Sequence, residues 1–119
     1  MINGAHTIFY AADAEAARAF FRDVLGLPHI DAGDGWLIFK SPPAELAVHP
    51  AGGPDSGNAE FYLMCDDLPA TVEELQAKGV EFTGGITQAG WGLLTTLVVP
   101  GAGEIGLYQP RHETAYVLD

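Results

Sequence analysis

Short alternating runs and helical stripes of apolar residues follow one another twice along this chain. Residues 5–11 concentrate β-branched and aromatic side chains and predict a strand, with His6, Ile8 and Tyr10 on one face. Asp13 then stands where a helix cap belongs, and Glu15 suits the positive end of the helix dipole. Ala17, Phe20, Phe21, Val24 and Leu25 recur at helical spacing as one apolar stripe, while Arg18 and Arg22 sit one turn apart on the opposite face. Gly26 ends that helix and Pro28 prevents its continuation. After a turn over 31–35, residues 36–40 predict a strand. Pro42 and Pro43 interrupt it, and residues 45–49 make another.

Residues 50–57 are linker-like in composition and fall near the middle of the chain. The order then repeats. Residues 59–65 predict a strand with Glu60, Tyr62 and Met64 on one face, Asp67 and Pro69 open a helix, and Leu68, Val72 and Leu75 give it an inward stripe. Gly79 closes it. A brief strand at 80–82, a loop at 84–90 and a long strand at 91–99 follow. A turn at 100–103 leads to residues 104–108, which echo 45–49, and the tail from Gln109 is less patterned. Each half is therefore expected to be strand, helix, then three strands, two of those three being marked in the first half, with His6 matching Glu60 and Asp13 matching Asp67. Neither half can cover both faces of its own sheet, so the halves are expected to pair.

Composition narrows the function. A chain of 119 residues that is 48% hydrophobic is one ordinary domain with a packed core. A formal charge of −11 repels nucleic acid and anionic lipid, so neither is an expected partner. The single cysteine, Cys65, rules out an internal disulfide framework and reads as a buried thiol within an apolar strand. The N-terminal residues lack the pattern of a signal peptide, and no apolar run is long enough to span a bilayer. A cytoplasmic location is the expectation.

The doubled strand–helix–three-strand unit, with His6 in its first strand, resembles the vicinal oxygen chelate superfamily. That group includes glyoxalase I, extradiol dioxygenases, methylmalonyl-CoA epimerase, and the fosfomycin- and bleomycin-resistance proteins. The similarity spans about residues 4–110, and residues 19–27 (Ala-Phe-Phe-Arg-Asp-Val-Leu-Gly-Leu) look like the family's helix-ending stretch. The resemblance implies an α+β fold within one domain, from modules of about 4–50 and 58–110 whose sheets curl into an open barrel around a cleft. It also implies a divalent metal held by the first and last strands of each module. The first-strand positions match His6 and Glu60; the last-strand positions fall on Ala47 and Gly106, which cannot ligate. His49, two residues beyond Ala47, faces the same way, so His6, His49 and Glu60 could together offer two imidazoles and a carboxylate. Such a set suits iron, manganese, zinc or nickel.

Three functions remain open on these residues. The first is a metal-dependent lyase, isomerase or dioxygenase acting on adjacent oxygens, with Glu60 or His49 moving the proton. The second is a metal-free binding protein of the bleomycin-resistance kind, in which Tyr10, Tyr62, Met64, Trp91 and Tyr108 line a cleft for a flat or cationic small molecule. The third is a metal-free enzyme built on a His6–Glu60 proton-transfer couple. Arg111 is the one cation near the cleft, whereas His29 and His112 sit in turn and tail contexts. Open sheet edges point to a homodimer.

Overall fold

The structure, a computed structural model, describes residues 6–45, 47, 48, 50 and 58–115. Asp13 caps α1 (Ala14–Ala19), its carboxylate accepting the Ala16 N–H at 3.0 Å. The helix then widens into a π segment, Phe20–Val24, in which the Leu25 N–H reaches back to the Phe20 carbonyl at 3.1 Å. A two-stranded antiparallel hairpin follows, β1 (His29–Asp31) and β2 (Leu37–Phe39).

The second half is more complete. β3 (Tyr62–Met64) leads into α2 (Leu68–Ala77), and β4 (Phe82–Ala89), β5 (Gly92–Val99) and β6 (Gly103–Pro110) finish a four-stranded sheet of order β3-β6-β5-β4. The sheet is mixed: β3 runs parallel to β6, and the other neighbours are antiparallel. Asp67 caps α2 through the Ala70 N–H at 3.1 Å, with Pro69 in its first turn. The Gln109 side chain of β6 accepts the Leu68 N–H at 2.8 Å, tying the start of α2 to the sheet. Thr95, Leu97 and Val99 of β5 are buried together with Ile105 and Leu107 of β6 and Leu68 and Leu75 of α2. Ala17 and Phe20 of the first helix join this same core. A close backbone approach completes the docking. The Asp13 N–H donates to the Gly101 carbonyl at 3.0 Å, and a Cβ at Gly101 would lie 2.4 Å from the Asp13 carbonyl oxygen.

The α+β class and the mixed sheet agree with expectation, and the two sheets do not close into one barrel. Several elements differ. Residues 6–11 belong to no strand, and it is Phe9 that turns inward, stacking on Phe21 at 6.0 Å and meeting Phe61 edge-on at 4.9 Å. The aromatic core of the first helix thus selects the opposite face from the one carrying His6, Ile8 and Tyr10. Residues 45, 47 and 48 belong to no strand, and residues 46 and 49 lie outside the described ones. The first half therefore has a helix and two strands among its described residues, rather than four strands. His29, expected in a turn, lies in β1 against the Phe39 ring at 5.6 Å. The expected loop at 84–90 is largely strand, because a register shift between Thr83 and Thr87 absorbs the glycines, and the Thr95 hydroxyl donates to the Gly85 carbonyl at 3.3 Å. No helix among the described residues is long and apolar enough to cross a membrane.

Candidate functional site

The register of β3 against β6 builds an aromatic wall. Tyr62 lies opposite Gly106, and Met64 opposite Tyr108. β5 places Leu94 beside Tyr108, and the residue just before β5, Trp91, is held by its carbonyl, which accepts the Arg111 N–H at 2.9 Å. Tyr108 is the centre. The Tyr62 ring meets it edge-on at 5.6 Å, and the Trp91 ring does so at 5.3 Å. Such edge-to-face contacts bring positive ring edges onto negative ring faces.

Gly106 makes this arrangement possible. A Cβ built there would fall 2.1 Å from Cδ1 of Tyr62, so the phenol ring lies directly on the glycine. Position 106 is where the resemblance would put a last-strand metal ligand. Here the space beside it holds an aromatic ring.

Carboxylates rim the wall. The Tyr62 hydroxyl donates to Glu60 at 2.9 Å. That bond, with burial and the Glu60 charge adding to it, raises the Tyr62 phenol above the usual tyrosine range. The Tyr108 hydroxyl donates to Oε1 of Glu45 at 3.3 Å and lies 3.5 Å from Nε2 of His112. The second Glu45 oxygen accepts the Ala115 main-chain N–H at 2.7 Å. Behind the wall, the Cys65 thiol contacts the Tyr108 carbonyl at 3.7 Å, and burial pushes its pKa up, which keeps it protonated.

The structure thus brings Tyr62, Trp91, Tyr108 and Glu60 together. Met64 lies next to them in the strand, although it also lines a cavity of about 240 Å³ between α2 and the first helix. Tyr10 stands apart, 91% exposed. Arg111 contributes its main-chain N–H to the wall, and His6 is exposed on the unpaired N-terminal segment. No hydrogen bond or ion pair joins His6 to Glu60 among the described residues, and His49 lies outside them. No cluster of three ligating side chains occurs among the described residues. Two members of the site, Glu45 and His112, were not legible in the sequence. His112 lies in the less patterned tail, and Glu45 opens a segment read as a strand, where nothing in the alternation points to a role at the wall.

A small α+β protein with one complete strand–helix–three-strand module, a partial second one, and an aromatic wall on the module's sheet is the class so defined. A family model described as "Glyoxalase/Bleomycin resistance protein/Dioxygenase superfamily" matches residues 5–104, and the chain belongs to that family. Solved structures share the fold. Lactoylglutathione lyase from Agrobacterium tumefaciens aligns with a TM-score of 0.64 at 21% identity, covering 90% of this chain and 92% of that one. TnmS3, an antibiotic binding protein from Streptomyces sp. CB03234, aligns with a TM-score of 0.61 at 24% identity, covering 92% and 99%. A glyoxalase/bleomycin resistance protein from the same Streptomyces aligns with a TM-score of 0.57 at 25% identity, covering 85% and 95%. No curated protein matches the chain.

Proposed function

We propose that this protein binds a flat, aromatic small molecule on the wall formed by Tyr62, Tyr108 and Trp91. The observation that carries the reading is the Tyr62 ring seated on Gly106, which fills with a stacking surface the place where a metal-ligating side chain would otherwise project. One exposed ring, Trp91, beside two half-buried ones offers area and π faces with little conformational entropy to lose, which suits recognition of a planar ligand. The antibiotic-binding relative of the same fold supports this reading, and the charge of −11 disfavours anionic ligands. In a Trp36→Phe background Trp91 becomes the sole tryptophan. Titration with a planar dye should then quench its fluorescence, and Tyr108→Ala should weaken binding at least ~10-fold, the loss of one stacked ring. Saturable binding that Tyr108→Ala and Tyr62→Ala both leave intact would place the ligand elsewhere.

A second reading keeps the chemistry of the family's enzymes. Glu60 uses one oxygen on Tyr62, and the other has no partner among the described residues. With His6 and His49 it could hold a divalent zinc, iron, manganese or nickel ion, which would polarise a substrate oxygen. Glu60 or His49, where not ligating, would then carry the proton. Metal analysis of protein purified without chelator decides between the two: a stoichiometric ion lost in His6→Ala establishes the metal site, and no ion retires it. We also infer a homodimer, because Ile8, Tyr10, Ile30 and Trp36 are all exposed on the incomplete first half. Sedimentation equilibrium checks this, and a monomer at tens of micromolar would exclude it.

A further inference from the structure

Glu45 is the polar terminus of the aromatic wall, and nothing in the sequence pattern marks it. Its carboxylate is half-buried, and it gathers two partners far along the chain: the Tyr108 hydroxyl 63 residues on and the Ala115 main chain 70 residues on. Among the described residues the ion pairs are Arg22–Asp23 and Lys78–Glu74, so Glu45 has no cationic partner there. A partly desolvated carboxylate gains most from a charged donor, and charge-assisted bonds are roughly twice as strong as neutral ones. Its shorter contact, at 2.7 Å, is instead a neutral amide from the chain's own tail. The ring that donates to Glu45 also meets Tyr62 and Trp91 edge-on and lies 6.2 Å from the His112 ring. A planar ligand lying on Tyr108 and carrying a protonated nitrogen at its edge would therefore direct that N–H at Glu45.

We propose that Glu45 is the ammonium-recognising residue of this site, and that the Ala115 N–H holds its place until a cationic planar ligand displaces it. The proposal rests on the aromatic wall being the binding surface and adds the ligand's charge and an internal competitor. The tail segment from Arg111, fixed at one end by Trp91 and at the other by Glu45, acts as a strap over the edge of the wall.

The test uses the full chain and two flat probes of similar shape, the 9-aminoacridinium cation and neutral acridone. Wild type should prefer the cation by about tenfold, and Glu45→Gln should bring the two affinities together. Ala115→Pro deletes the competing N–H and should tighten the cation three- to tenfold while leaving acridone unaffected. A direct readout covers the case in which the proline disturbs the tail: the cation, and not acridone, should accelerate hydrogen exchange at the Ala115 amide of wild type. Equal affinity for both probes in wild type, or no tightening in a folded Ala115→Pro with unchanged exchange at Ala115, overturns the proposal and leaves the aromatic wall standing. Binding of neither probe overturns both.

Discussion

Asp13 and Asp67 cap their helices in the same way, yet the helix begun at Ala14 gives way to a π segment after Ala19, whereas the one begun at Leu68 runs unbroken to Ala77. The difference lies in what each helix packs on. α2 rests on its own four-stranded sheet, and Leu68 and Leu97 there are fully buried. The first helix has only a short hairpin of its own, and it buries Ala17 and Phe20 against its neighbour's core. Its outer side is secured by Arg18, whose guanidinium lies 4.8 Å over the Trp36 ring, a weak contact at an exposed site. Two copies of one pattern can thus share the same capping signal and still differ in helix form, because the layer underneath differs.

The largest effect that would sharpen this contrast concerns the core. Leu97→Ala should cost about 2–5 kcal/mol in denaturant unfolding, as expected for a fully buried leucine, whereas Ile30→Ala should stay within ~0.5 kcal/mol. Comparable losses at both positions would break the contrast. Next comes Gly106→Ala. The added methyl meets the Tyr62 ring, so the variant should lose about 1–3 kcal/mol and most of its planar-dye binding, and Tyr62→Ala in the same chain should recover the stability. The caps come third. Asp67→Ala should lower global stability by about 1 kcal/mol, with Asp13→Ala lowering it less because the first helix contributes the smaller share of the core. Equal losses would mean that the halves unfold as one unit.

The smallest effect is a titration. Glu60 raises the Tyr62 pKa, so the native chain holds that proton more tightly than the unfolded chain does. Its contribution is complete below the ordinary tyrosine pKa of about 10 and is lost as pH rises through the higher native value. Glu60→Gln should move one tyrosine's ionisation, followed by ultraviolet absorbance, back toward the ordinary range and should soften the alkaline loss of stability. An unchanged titration would mean that the Tyr62–Glu60 bond does not persist in solution.

How far the sequence could be read follows the same division. Caps, helix stripes and the long strand at β5 are local features, and Asp13, Asp67, Leu68 and Leu75 were readable from spacing alone. Tyr62, Trp91 and Tyr108 were also legible as a group, since alternation puts Tyr62 and Tyr108 on matching faces of strands that pair. Glu45 and His112 were not, because their roles depend on contacts between distant segments that no short-range period encodes. The strand expected over residues 5–11 failed for a related reason: alternation offers two faces, and the contact of Phe9 with Phe21 and Phe61, not the pattern itself, chooses between them. The β4 glycines misled in the opposite direction, since a bulge let a loop-like composition stay within the sheet.

The ring resting on Gly106 also constrains which side chains the two positions can hold together. Histidine or glutamate at position 106 would collide with Tyr62, and shrinking Tyr62 first would remove one ring of the aromatic wall. Placing a ligating side chain at position 106 therefore requires a change at position 62 as well. The packing of one phenol on one hydrogen atom thus couples positions 62 and 106, so that neither side chain can change size without the other.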